Sequence, residues 1–121
     1  MKVIVCGGPT YDDWTLLRDT LDRLNKERGP ITHIIHGGAY GADSLAGDYA
    51  DLRKIQTVEC KANWANMSRL AGPYRNKAML ALGPDLVVAF PGGSGTRNMV
   101  ELARDAGVEV LEIEVPPETP A

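Results

Sequence analysis

Short continuous apolar runs alternate along this chain with stretches in which apolar residues recur every three or four positions. Residues 3–6 form the first run and end at Gly7, Gly8 and Pro9, the pattern of a strand buried on both faces. Trp14, Leu17, Leu21 and Leu24 follow at helical spacing, with Asp12 or Asp13 placed to cap the helix and Gly29-Pro30 to stop it. Residues 31–36 repeat the strand pattern up to Gly37-Gly38, and Leu45, Tyr49 and Leu52 share one face of the next helix. Residues 55–59 read as a third strand. Residues 61–71 show neither period and predict a long functional or partly ordered loop. Gly72-Pro73 opens a further helix that Gly83-Pro84 ends, and residues 86–90 are the clearest buried strand of all. A helix over residues 95–106 stops at Gly107, and residues 108–113 supply a fifth strand. Pro116, Pro117 and Pro120 continue neither sheet nor helix, so residues 116–121 are expected to be a flexible tail behind a domain of residues 1–115.

Strands alternating with helices imply right-handed crossovers and a parallel sheet covered on both faces. The fold expected is therefore α/β: a Rossmann-like, doubly wound, five-stranded parallel sheet of order 3-2-1-4-5. In such sheets ligands bind beyond the carboxyl ends of the strands, where the strand order reverses, here between strands one and four. Three glycine-rich turns leave the sheet at that edge: Gly7, Gly8 and Thr10; Gly37, Gly38, Tyr40, Gly41 and Asp43; and Gly92, Gly93, Ser94, Gly95 and Thr96 behind Pro91. Glycines let backbone amides approach a phosphate closely, a helix N-terminus adds unpaired donors and partial positive charge, and Ser94 and Thr96 add hydroxyls. The turn lacks the Gly-Lys-Ser/Thr of a Walker A loop and the spacing of G-x-G-x-x-G, so neither an NTPase nor a nicotinamide dehydrogenase is indicated.

A formal charge of −3 argues against the broad phosphate-neutralising surface of a nucleic-acid binder, whereas a small anionic ligand needs only a local positive site. No apolar run nears the roughly 20 residues that span a bilayer, and the short apolar start is no signal sequence, so a cytoplasmic protein without a membrane partner is expected. Cys6 and Cys60 lack metal-ligand spacing and read as reduced core residues. The alternative for Cys6, a nucleophile, lacks an obvious activating base. No metal site and no cofactor are expected.

The chain resembles the SLOG superfamily, most closely its small YspA-like branch. The likeness rests on Gly7-Gly8 with Asp13-Trp14, on His36-Gly37-Gly38-Ala39 with Gly41-Ala42-Asp43, on Ala71-Gly72-Pro73 with Arg75-Asn76 and Met79-Leu80, and on residues 89–96. It implies a Rossmann-like domain that binds a nucleotide or nucleotide-derived small molecule, acts as a sensor or accessory module, and often forms a homo-oligomer. Related cytokinin-activating phosphoribohydrolases cleave the N-glycosidic bond of a nucleoside monophosphate with an Arg and a Pro-Gly-Gly-x-Gly-Thr-x-x-Glu motif. Arg75 matches that Arg block, but the Glu position holds Met99, which neither accepts a proton nor stabilises a cationic centre. The branch's frequent arginines after the first glycine turn and before Gly-Ala-Asp are replaced by Pro9 and Tyr40, which removes two bidentate phosphate donors.

Asp43 has two readings, helix cap or acceptor for a ribose hydroxyl, and with Arg75 it is the candidate for a catalytic role in the hydrolase alternative. Arg75 and Asn76 fall in the first turns of a helix, where a cation is unfavourable against the dipole. That points to an anionic ligand for Arg75, or to a surface ion pair. Tyr40 is placed to stack on a base, and Trp64 either to cover the crevice or to anchor its loop. His36 reads as a hydrogen-bonded core residue and Trp14 as core.

Overall fold

The computed structural model describes residues 1–115, and the tail expected over residues 116–121 lies outside them. The chain runs β1 (Lys2–Cys6), α1 (Trp14–Glu27), β2 (His33–His36), α2 (Ala42–Arg53), β3 (Gln56–Glu59), α3 (Trp64–Met67), α4 (Ala71–Leu80), β4 (Leu86–Ala89), α5 (Ser94–Asp105) and β5 (Glu109–Glu112). The five strands form one parallel sheet in the order β3-β2-β1-β4-β5, as the alternation predicts.

Register sorts the apolar runs into two layers. Val3 lies beside Ile34 and Leu86, and all three side chains join the core under α1 and α2. One step along, Ile4 lies beside Ile35 and Val87, which pack against α4 and α5. A one-residue step thus moves a whole row to the other face, so apolar residues at every position are what a sheet covered on both sides requires. α1 buries Leu17, Leu21 and Leu24 from one stripe, each worth about 1.5–3 kcal/mol of transfer free energy. Its N-terminus is capped by Asp13, whose Oδ1 accepts from the Leu16 amide at 3.0 Å.

Residues 61–71 depart from the expected loop. The segment folds as α3, then a 3-10 turn over Ser68–Leu70 that runs directly into α4. These turns leave Trp64, Leu70 and Tyr74 exposed. With no buried residue described in α3 or the 3-10 turn, there is no periodic signal to read there.

Candidate functional site

The turn after β1 is stitched to both neighbouring turns. The Gly8 amide donates to the Pro91 carbonyl at 2.9 Å, while the Gly8 carbonyl accepts from Ala42 and Tyr11, each at 3.2 Å. Two glycines make this close approach possible. A Cβ on Gly92 would fall 2.6 Å from the Gly8 nitrogen, and Gly41 has φ +79° with the Gly8 carbonyl where a Cβ would be.

Beyond these turns opens a cleft of about 720 Å³, within the range of ligand pockets. One side is the first turn of α5. Its N-cap, Gly93, supplies no side-chain cap, and the first helical bond is from Arg97 to the Gly93 carbonyl. The amides of Ser94, Gly95 and Thr96 have no acceptor among the described residues. No acidic residue in that turn offsets the positive end of the dipole.

The opposite side carries Arg75. Its Nη1 donates to the Gly37 carbonyl at 2.9 Å and its Nε to Asn76 Oδ1 at 3.0 Å, whereas Nη2 has no acceptor among the described residues. Arg75 takes part in none of the ion pairs there, so the surface-pair reading fails and its charge stays available to the cleft. Asn76 is buried and links the two sides: its Nδ2 donates to the Gly95 carbonyl at 3.3 Å and to Asn98 Oδ1 at 2.9 Å. One amide therefore orients both the guanidinium and the α5 turn.

Asp43 does not cap α2. The cap position is Gly41, and Asp43 Oδ2 instead accepts from the amides of Gly37 at 3.1 Å and Ala39 at 3.2 Å, folding the turn back over the helix start. Burial raises its pKa, opposed by the Ala39 amide, Arg75, His36 and the Gly37 amide. Asp43 lines the cleft, and its Oδ1 has no partner among the described residues. His36 is buried, and its Nδ1 accepts from the Gly38 amide at 3.1 Å. Cys6 lies on the cleft floor, where burial pushes its thiol up to about 12, with Asp43 adding and Arg75 opposing. Burial holding the thiol in its neutral form counts against the nucleophile reading.

A profile of the YspA, cpYpsA-related SLOG family matches residues 1–67. Over 118 residues the chain is 32% identical to the Gene 61 protein of Mycobacterium phage D29, covering 91% of this chain and 94% of that one. The protein belongs to the SLOG family. The same fold recurs in the X-ray structure of TM1055, a Northeast Structural Genomics Consortium target, with a TM-score of 0.66 over 91% of this chain and 72% of that one. At 21% identity this likeness speaks for the fold alone.

In this SLOG protein the cleft gathers Gly7, Asp43, Arg75, Asn76, Gly93, Ser94, Gly95 and Thr96. It does not gather all the expected residues. Gly8, Thr10 and Gly92 line a second cleft, Gly37, Gly38 and Gly41 shape the turn without lining either, and Tyr40 is 86% exposed away from both. Trp64 is no anchor: it is 60% exposed, its ring lying over Gly72 at the rim of the first cleft. Trp14 is half-buried against the core under α1. Arg69 and Asn98 line the first cleft and were not anticipated. Asn98 sits four residues after Ser94, on the same helix face, a spacing that had the information. Arg69 falls in the aperiodic segment and left no signal. Met99 is fully buried with Ile4, Cys6, Met79 and Val87, so that position offers the cleft no polar group.

Proposed function

We propose that this protein binds a nucleotide or nucleotide-derived small molecule as a sensor or accessory module, with the ligand phosphate on the first turn of α5. The coarse part, a nucleotide-related role, follows from the SLOG family. The observation that carries the finer part is the pairing of three amides, Ser94, Gly95 and Thr96, with a guanidinium, Arg75, when among the described residues the amides have no acceptor, the guanidinium no carboxylate partner and its Nη2 no acceptor. Backbone amides at a helix N-terminus and an arginine fork are complementary to phosphate oxygens. Arg69 adds a second cation at the rim, and Trp64 a ring on which a base can stack. Asp43 Oδ1 is the acceptor available to a ribose hydroxyl.

Binding without hydrolysis is favoured because the apolar burial of Met99 leaves Asp43, among the described residues, as the one carboxylate lining this cleft. Calorimetry with AMP and ADP-ribose tests the reading: saturable binding is expected, and no heat at millimolar ligand overturns it. Chromatography of the same mixtures separates the hydrolase alternative, which requires free base to appear and Asp43→Asn to slow its release. Sedimentation mass tests the homo-oligomer.

A further inference from the structure

Few interactions tie residues 61–70, between β3 and α4, to the rest of the molecule. Among the described residues none of α3 or the 3-10 turn is buried, and Asn63 gives the start of α3 no side-chain cap. The backbone bonds of α3 close on the segment itself: the Met67 amide donates to the Asn63 carbonyl at 2.9 Å and the Ser68 amide to the Trp64 carbonyl. Among the described residues no backbone bond from residues 61–67 reaches the sheet or another helix. Where α3 meets the 3-10 turn, Ser68 has φ +52°, a left-handed conformation unfavourable for a residue with a side chain. Ser68 is exposed, so packing does not impose that conformation, and the position suits a hinge that absorbs a change of backbone angle. The segment also carries one sign of charge. Lys61 and Arg69 are both exposed, and no Asp or Glu lies between residues 61 and 70.

We propose that residues 61–70 are a lid hinged at Ser68, held off the cleft of the free protein by like charge and drawn shut by a bound anion. The proposal rests on the phosphate site at α5. Trp64 and Arg69 stand at the rim of the first cleft, facing Arg75 and the positive end of α5 against the single carboxylate of Asp43 among the described residues. Cations on both sides repel, and a phosphate dianion between them reverses the sign that Arg69 and Lys61 meet. Closure carries the Trp64 indole, 60% exposed at the rim, onto the ligand and removes it from water. Gly72 leaves the ring room to move. A Cβ at that position would lie 3.3 Å from the indole and crowd it.

The test is backbone-amide hydrogen exchange over residues 61–67, read by NMR on the wild-type chain alone, with saturating AMP, and with adenosine at the same concentration. AMP is expected to slow these amides about tenfold, including Ala65 and Met67, which do not line the cleft. Adenosine, which lacks the charge, is expected to leave them fast. A Lys61→Gln, Arg69→Gln double variant removes the charge of the lid at two exposed positions that form no ion pair among the described residues, so the fold is kept. It is expected to bind AMP about tenfold more weakly and to lose the slowing, while the amides of Ser94, Gly95 and Thr96 still shift with AMP. If AMP binds the wild type and residues 61–67 exchange as before, or if adenosine or the double variant shows equal slowing, the lid is wrong and the phosphate site stands. If AMP does not bind the wild type, the phosphate site is wrong and the lid falls with it.

Discussion

Replacing Met99 by glutamate would restore the acid of the phosphoribohydrolase motif, and in this chain it is expected to destabilise the fold rather than create activity. Met99 is fully buried beneath the cleft floor, among Ile4, Cys6, Met79 and Val87. A carboxyl there escapes the penalty of a buried charge by staying protonated. From an unfolded pKa of about 4.3, that costs about 1.4 kcal/mol per pH unit, or about 3.7 kcal/mol at pH 7. The unbonded neutral carboxyl adds about 1–3 kcal/mol. A total of about 5–7 kcal/mol is a large share of the roughly 5–15 kcal/mol that stabilises a domain. The sign with pH follows from linkage. The folded-state pKa is raised, so the folded protein holds the extra proton, and the ionisation part of the penalty shrinks as pH falls toward the unfolded pKa. Urea unfolding of the wild type, Met99→Leu and Met99→Glu at pH 7 and pH 4.5 measures this. Met99→Leu, a volume-conserving change, should cost less than about 1.5 kcal/mol. A Met99→Glu protein within about 1 kcal/mol of wild type at pH 7, or a deficit independent of pH, would refute the placement of this position in the core.

Arg75→Ala removes a charged donor from the cleft and is expected to weaken AMP about 10- to 100-fold, equivalent to the roughly 1.5–3 kcal/mol of a charge-assisted hydrogen bond. Calorimetry reads the change, and unaltered affinity would contradict the role of the guanidinium. Asp43 has a folded-state pKa raised chiefly by burial. The wild type should therefore lose stability as pH rises from the unfolded carboxylate pKa of about 3.9 through the folded one, while Asp43→Asn does not. Thermal melts of the pair between pH 4 and 7 should diverge, with the variant the more stable at pH 7, and parallel curves would contradict the burial.

The sheet was legible in the sequence because a strand covered on both faces must be apolar at every position, as residues 3–6 and 86–90 are. The crossover through α1 was legible because Leu17, Leu21 and Leu24 present one buried stripe. In α2 only Tyr49 of the expected Leu45, Tyr49 and Leu52 is fully buried, Leu52 being exposed while Ala42, Ala46 and Ala50 fill the inner face, yet the helix itself was legible. The connection from β3 to β4 was not. α3 and the turn after it bury little, and α4 buries only Ala71, Asn76 and Met79, one of them polar, so hydrophobic period carries no information there. The turn between β4 and α5 could be read from Gly92, Gly93, Ser94, Gly95 and Thr96 because adjacent glycines after a buried strand mark a tight strand-to-helix connection. The work of Asp43 could not. Whether a carboxylate at a helix start caps that helix or holds the preceding turn depends on the path of residues 37–41, and that path is set by Gly41 packing on Gly8. Arg69 was invisible for the same reason as α3.

The central claim is that the first turn of α5 receives the ligand's phosphate, and a ¹⁵N-amide titration of the labelled protein with AMP tests it most directly. The signals of Ser94, Gly95 and Thr96 should shift together and saturate on one binding curve, and adenosine without its phosphate should leave them in place. If AMP binds while those three amides stay unmoved, or if adenosine moves them equally, the phosphate lies elsewhere and the account fails.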